Sequence, residues 1–264
     1  MPTVELDGRS LSYIRRGSGE PLLLVMGMAG HVALWSEPFL TELERDFEIV
    51  AFDNRGIGAS TDVPGQWNIA DLADDALAVM DEVGWDSAHV LGISLGGMIA
   101  QELAVRHPER VRRLVLGCSY SGGDGSSLLA PGPMRMMEAM NSGNAERAFR
   151  AGYEANLSTD YVADEANWAP FRAVVGAAVV PVPVVMRQAQ AAFLHDTSAR
   201  LPQITAPTLV IAGTEDQMLV HINSELIASL IPGARLLSFD GVGHLFWWER
   251  PVETAPAIRE HCLS

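Results

Sequence analysis

Gly92-Ile93-Ser94-Leu95-Gly96-Gly97 is the stretch of this sequence that decides the fold. An apolar run at 88–91 precedes it, and a helical pattern from about 98 to 106 follows it. We therefore predict a strand, a sharp turn and a helix, with the serine at the apex of the turn. Such a turn leaves almost no room for side chains two residues before and two residues after the serine, and both positions are glycine.

A serine at this kind of turn is suited to nucleophilic catalysis. Its hydroxyl is a weak nucleophile unless a base reaches it, and the turn exposes it to residues of other loops. The first turn of the following helix also presents unpaired N–H groups to a developing negative charge. An ordinary glycine-rich connection would look similar here, so the decision rests on the partners of the serine.

Two features far downstream supply those partners. A buried strand at 206–213 ends in Thr214-Glu215-Asp216, and another at 234–239 ends in Asp240-Gly241-Val242-Gly243-His244. The acid and the histidine thus follow strand ends, in the chain order Ser, Asp, His, which is typical of one fold among those that contain such triads. We predict that Ser94 attacks a carbonyl, that His244 is its base, and that Asp216 orients the imidazole.

The chain resembles an α/β-hydrolase over essentially its whole length. The motifs that carry the resemblance are Gly92-Ile93-Ser94-Leu95-Gly96-Gly97, Asp53-Asn54-Arg55-Gly56-Ile57-Gly58-Ala59-Ser60, Gly213-Thr214-Glu215-Asp216 and Gly243-His244. The resemblance implies a serine hydrolase that cleaves a carboxylic ester or lactone through an acyl-enzyme, with no cofactor. By the same match, the oxyanion hole consists of the backbone N–H groups of Met28 and Leu95. The family usually has His-Gly where this chain has Met26-Gly27, so the loop departs from the pattern.

Other residues compete for these roles. Glu215 lies beside Asp216 and is a rival acid. His31 and His221 stay open as functional histidines, because both fall on loops near strand ends. The remaining histidines are interpreted as structural.

The sequence predicts an α/β protein of the α/β-hydrolase fold, with an eight-stranded, mostly parallel sheet flanked by helices and an inserted helical cap. Residues 1–127 and 202–264 form the core, and the helical, proline-punctuated segment 128–201 forms the cap over the active site. The first two strands are expected to form a hairpin at Asp7-Gly8. The predicted strands are 4–7, 11–15, 22–26, 48–52, 88–92, 112–117, 208–212 and 235–239.

Methionine and aromatic residues in and near the cap suggest a pocket for a fairly hydrophobic acyl or alcohol group. The pocket candidates are His31, Met137, Trp168 and Trp247. Packing of the cap on the core is the competing interpretation for most of these side chains.

Composition excludes several classes of function. The chain has 264 residues and a formal charge of −15, and all of its basic residues are arginine. No basic cluster suggests nucleic acid as a partner, and the absence of lysine excludes Schiff-base chemistry on a lysine. No metal motif is visible.

The sequence also gives an expectation for the cellular compartment. The two cysteines, Cys118 and Cys262, suggest no disulfide framework, so we expect a reducing cytoplasm. Residues 1–20 lack the apolar core of a signal peptide, and the most apolar run, 174–185, is too short to span a membrane. The arginine-rich composition suggests a GC-rich bacterial genome.

Several chemistries share this triad. Enol-lactone hydrolysis, hydrolysis of a C–C bond in a diketone and perhydrolysis are alternatives to simple ester hydrolysis. A serine nucleophile argues against haloalkane dehalogenases and epoxide hydrolases, which use aspartate. A ligand-binding protein that kept the pocket is a hypothesis from another class, and many turnovers per molecule would exclude it.

Overall fold

The computed structural model describes residues 1–6, 8–178 and 180–264. Its single sheet has the strand order β1-β2-β4-β3-β5-β6-β7-β8. The pairs β1–β2 and β2–β4 are antiparallel, and all other neighbours are parallel. The strands are β1 (Thr3–Leu6), β2 (Arg9–Gly17), β3 (Glu20–Val25), β4 (Phe47–Phe52), β5 (Ala88–Ile93), β6 (Val111–Gly117), β7 (Thr208–Gly213) and β8 (Arg235–Phe239).

All eight predicted strands are confirmed, with ends that differ by at most two residues over the described part of the chain. Asp7, the last residue of the first predicted strand and part of the expected hairpin turn, lies outside the described residues. The helices are α1 (Glu37–Leu43), α2 (Ile69–Glu82), α3 (Leu95–Arg106), α4 (Pro131–Asn141), α5 (Ala145–Asn156), α6 (Thr159–Ala163), α7 (Trp168–Val175), α8 (Val182–Phe193), α9 (Ile222–Leu230), α10 (Phe246–Glu249) and α11 (Pro251–Leu263).

The centre of the parallel part of the sheet is buried on both faces. Every residue of β5 and β7 is buried, as expected for strands covered by helices on either side. Successive residues of β3 alternate between two apolar clusters: Leu23 packs with α2 and α3, and Leu24 packs with α1 and α11. The chain therefore folds as three layers, with the carboxyl ends of the parallel strands at one edge.

The loop after β4 is held by buried polar contacts. Asp53 accepts hydrogen bonds from the Val32 N–H at 2.7 Å and the Ser12 hydroxyl at 3.0 Å. Arg55 contacts the fully buried Asp75 at 2.6 Å. These contacts hold the loop after β4 in place.

Helices α4 to α8 lie between β6 and β7. That residues 128–201 form a cap over the active site stays a prediction. Over the described ranges, every helix is too short or too polar to cross a membrane.

Candidate active site

Ser94 lies between the end of β5 and the start of α3, in a left-handed conformation with φ 57° and ψ −118°. A residue with a side chain rarely adopts such a conformation, and the surrounding backbone imposes it. A Cβ added at Gly92 would lie 2.2 Å from the carbonyl oxygen of Gly96, and one added at Gly96 would lie 2.0 Å from that of Val25. The two glycines therefore allow β5, β3 and α3 to meet closely enough to form this turn.

Asp216 and His244 form a buried pair at the same edge of the sheet. His244 Nδ1 lies 2.6 Å from Asp216 Oδ2. The other carboxylate oxygen accepts the backbone N–H groups of Met218 at 2.7 Å and Leu219 at 2.9 Å. With the carboxylate held in this way, Nδ1 carries the proton toward Asp216, and Nε2 is left as a lone-pair base.

Glu215, the rival acid, points elsewhere. Its side chain is exposed and accepts a hydrogen bond from the Thr159 N–H at 3.2 Å, in the helical segment between β6 and β7. The structure therefore brings Asp216, and not Glu215, into contact with His244.

The electrostatics of the pair favour a charged imidazole. Burial lowers the pKa of His244, but the adjacent Asp216 carboxylate outweighs burial, so the pKa lies well above its ordinary value of 6.5. An imidazolium formed by proton transfer is therefore stabilised where it arises.

Cys118 lies on the other side of the imidazole. Its Sγ is 3.9 Å from His244 Nε2, and Cys118 directly follows β6, whose last residue, Gly117, accepts the Ser94 N–H through its carbonyl at 2.8 Å. Among the described residues, Nε2 contacts this thiol and not the serine hydroxyl, and catalytic hydrogen bonds often tighten only when substrate binds. Burial raises the pKa of the Cys118 thiol, so it stays neutral and is a poor nucleophile.

The same three side chains also lie close enough together to surround a metal ion. The possible ligand atoms of Cys118, Asp216 and His244 all lie within 4.8 Å of one another. Both oxygens of Asp216 already accept hydrogen bonds, and a neutral thiol binds metals weakly. This donor set suits hydrogen bonding better than metal binding.

The loop after β3 lies against the serine. A Cβ added at Gly27 would lie 3.6 Å from Ser94 Oγ. In this loop, the Ala29 N–H donates to Gln188 Oε1 at 2.9 Å, and the Gly30 N–H donates to the Gly27 carbonyl at 3.2 Å. Asn54 Nδ2 donates to the Met26 carbonyl at 3.1 Å.

The two predicted oxyanion donors differ from these neighbours. Among the hydrogen bonds of the described residues, neither the Met28 N–H nor the Leu95 N–H donates to an acceptor. Leu95 is the first residue of α3, where N–H groups have no partner within the helix. Both groups are therefore available to an oxyanion beside Ser94, while their role as an oxyanion hole stays a prediction.

A buried polar chain supports the serine turn from behind, and sequence reasoning missed it. Ser119 Oγ donates to the Ser94 carbonyl at 2.8 Å, and Gln101 Nε2 donates to Ser119 Oγ at 3.3 Å. Thr197 Oγ1 donates to Gln101 Oε1 at 2.6 Å. Gly97 makes room for this chain, because a Cβ at that position would lie 2.5 Å from Ser119.

Glu249 was also missed. This half-buried carboxylate accepts the Ser158 N–H at 2.9 Å and hydroxyl at 2.5 Å, and also the Gly243 N–H at 2.9 Å. Burial raises its pKa. The residue therefore connects the segment between β6 and β7 to the residue preceding His244, and nothing in the local sequence indicated the contact.

The four pocket candidates differ in their burial and in the residues that they contact. His31 Nε2 lies 3.2 Å from the Val174 carbonyl of α7. Trp247 is fully buried, and its ring is tilted by 44° relative to that of Trp35, with the ring centroids 5.5 Å apart. Their role in a pocket stays a prediction.

The other two candidates and His221 contact other parts of the chain or solvent. The Trp168 ring packs 5.1 Å from that of Tyr153, and Met137 on α4 is 60% exposed. His221 contacts Ser238 Oγ at 2.8 Å on β8. Among the described residues, no hydrogen bond joins these side chains to the triad.

Comparisons with known proteins identify the family of the chain. The family described as alpha/beta hydrolase fold matches residues 20–251. The chain is 31% identical to a poly(3-hydroxyalkanoate) depolymerase of Ectopseudomonas oleovorans, over 97% of this chain and 90% of that one. The crystal structure of a hydrolase from Pseudomonas aeruginosa superposes with a TM-score of 0.82 at 31% identity, covering 98% of this chain and 96% of the other.

A second solved structure is similarly close. An N-acyl homoserine lactone degrading enzyme has a TM-score of 0.78 and 29% identity, over 98% of this chain and 99% of that chain. The match to the family extends from β3 to the start of α11 and includes the serine turn, Asp216 and His244. This chain therefore belongs to the α/β-hydrolase fold family and is a hydrolase.

Proposed function

We propose that the protein is a serine hydrolase that cleaves a carboxylic ester or lactone through an acyl-enzyme. The observation that carries this proposal is the buried contact of 2.6 Å between His244 Nδ1 and Asp216 Oδ2, at the sheet edge where Ser94 occupies a left-handed turn. A buried carboxylate that fixes the tautomer of an imidazole next to a serine is the arrangement that activates a hydroxyl.

In the proposed reaction, Ser94 Oγ attacks the carbonyl carbon while His244 Nε2 takes the hydroxyl proton. The negative charge on the carbonyl oxygen is accepted by the N–H groups of Met28 and Leu95. The imidazolium, stabilised by Asp216, then protonates the leaving alcohol oxygen as the carbon–oxygen bond breaks. Water attacks the acyl-enzyme with His244 again as base, which releases the acid and regenerates the serine.

Two relatives support an ester bond as the target. One is named for a poly(3-hydroxyalkanoate) and another for an N-acyl homoserine lactone, and both compounds contain ester linkages. The substrate we propose is a small, fairly hydrophobic ester or lactone bound beneath the segment 128–201, which we propose as the cap. The two buried, unpaired cysteines suit a cytoplasmic location.

The test is the initial rate of hydrolysis of 4-nitrophenyl esters with increasing acyl length. Ser94→Ala should lower kcat by roughly 10⁶-fold, as losses of a catalytic serine do. Ser229→Ala, an exposed serine on α9, is the matched control and should leave the rate unchanged. Wild-type rates in Ser94→Ala would refute the proposal.

A further inference from the structure

Gln188 connects α8 to the loop after β3, which contains Met28, the proposed oxyanion donor. The side chain is fully buried, and its Oε1 accepts the Ala29 N–H at 2.9 Å. Ala29 itself has a left-handed backbone, with φ 58°. Helix α8 therefore orders this loop through one side chain that is remote in sequence.

This hydrogen bond determines the orientation of the Gln188 amide. A backbone N–H requires an oxygen acceptor, so the atom facing Ala29 is the carbonyl oxygen, and the remaining atom is the NH₂ group. Among the described residues, this Nε2 has no hydrogen-bond partner although it is buried. Buried donors in native proteins are nearly always partnered, so an acceptor from outside the chain is expected.

The free Nε2 lies beside the loop that carries the Met28 N–H. The two atoms of a side-chain amide are about 2.2 Å apart by standard bond lengths. Since Oε1 is 2.9 Å from the Ala29 nitrogen, Nε2 lies within about 5 Å of that nitrogen, one peptide unit from the Met28 N–H. Gly27, at the start of the same loop, lies against Ser94. A substrate whose carbonyl oxygen binds the Met28 N–H would thus bring its adjoining atoms near Nε2.

We propose that Gln188 is a substrate-binding residue, whose Nε2 donates a hydrogen bond to a second oxygen of the substrate near the scissile carbonyl. The substrate class is then an ester or lactone that carries a hydroxyl, ether, ketone or amide oxygen close to the bond that is cleaved. This inference rests on the ester or lactone hydrolase function proposed above. It adds a polar requirement to a pocket that methionines and aromatic residues alone would make apolar.

The test compares isosteric substrates. We would measure kcat/KM for 4-nitrophenyl hexanoate and for three esters in which an ether oxygen replaces the third, fourth or fifth atom of the acyl chain. After correction for hydroxide-catalysed rates, the wild-type enzyme should prefer at least one ether ester about tenfold, the effect of one hydrogen bond. Gln188→Met removes the donor and should reduce this ratio to about one.

Two further variants separate binding from structure. Gln188→Glu keeps an acceptor for the Ala29 N–H but lacks the donor once its carboxyl is ionised, so the preference should disappear as the pH is raised through the pKa of that carboxyl. Gln190→Met, the same substitution at an exposed position of α8, should keep it. An equal loss on all four esters in Gln188→Met, or a wild-type ratio of one, would overturn the inference while leaving ester hydrolysis standing. No serine-dependent turnover of any ester would overturn both.

Discussion

Replacing Asp216 with asparagine tests the charge relationship at the centre of the site. The carboxylate is completely buried and accepts three hydrogen bonds, two from backbone N–H groups and one from His244 Nδ1. Asparagine has the same shape and keeps one oxygen for the two backbone donors. Its NH₂ group then faces Nδ1, which must become an acceptor, so the proton moves to Nε2 and the base toward Ser94 is lost.

The expected cost is large for the rate and small for the fold. The wrong tautomer lowers kcat by about 10⁴-fold in a serine protease triad, equivalent to about 5 kcal/mol of activation free energy, and we expect a similar loss here. The free energy of unfolding should fall by only about 1–3 kcal/mol, because one charge-assisted hydrogen bond is lost.

The assay is kcat for a 4-nitrophenyl ester, with thermal unfolding of each variant measured alongside. Glu215→Gln is the control, since the Glu215 side chain is exposed and contacts only the Thr159 N–H among the hydrogen bonds of the described residues. A folded Asp216→Asn enzyme within tenfold of the wild-type rate would refute the reasoning, as would a greater loss in Glu215→Gln.

The same pair predicts a pH profile. His244 must be neutral to act as a base, and Asp216 raises the pKa of His244 above 6.5. The wild-type kcat/KM should therefore rise with increasing pH, with a midpoint above pH 6.5. Removing the carboxylate should shift the midpoint of the residual activity downward. A midpoint that is the same in both enzymes would mean that another group titrates.

Four further substitutions have defined outcomes. Gly96→Ala places a Cβ 2.0 Å from the Val25 carbonyl and should lower the free energy of unfolding by about 3 kcal/mol. Gly152→Ala on α5, where a Cβ would make only an ordinary contact of 3.8 Å with Met136 Cε, should raise it by up to about 1 kcal/mol in chemical denaturation. Glu249→Ala leaves buried N–H groups without an acceptor and should cost about 2 kcal/mol and at least tenfold in kcat; an unchanged kcat would contradict its positioning role. Asp75→Ala leaves buried arginine charge unpaired and should cost about 3–5 kcal/mol in the same denaturation assay, with a loss below 1 kcal/mol opposing the argument.

The strands and the proposed triad were predictable because their signals are local. The buried parallel strands are short apolar runs, such as β5. The serine turn requires glycine two residues before and two residues after the serine, because a Cβ at either position would clash with the backbone. Asp216 and His244 each follow such a run, so the topology places them at one edge.

The supporting contacts were not predictable. Gln188 meets Ala29 across 159 positions in the chain, and Glu249 meets Ser158 across 91. No periodicity or spacing relates residues that far apart, and a glutamine or glutamate on a short helix usually faces solvent. Cys118 likewise gave no sign that its thiol would lie beside the imidazole, because the approach depends on how β6 and β8 place their ends.

The strand order has a consequence for heat inactivation. His244 follows β8, which pairs only with β7 at the edge of the sheet and has mostly exposed or half-buried residues. Ser94 follows β5, which lies between β3 and β6 and is buried throughout. Edge strands open locally at a lower free energy than central ones, so fraying at this edge would withdraw the histidine while the serine turn stays intact. On warming, catalysis should therefore disappear several degrees before the core unfolds, and it should return on cooling.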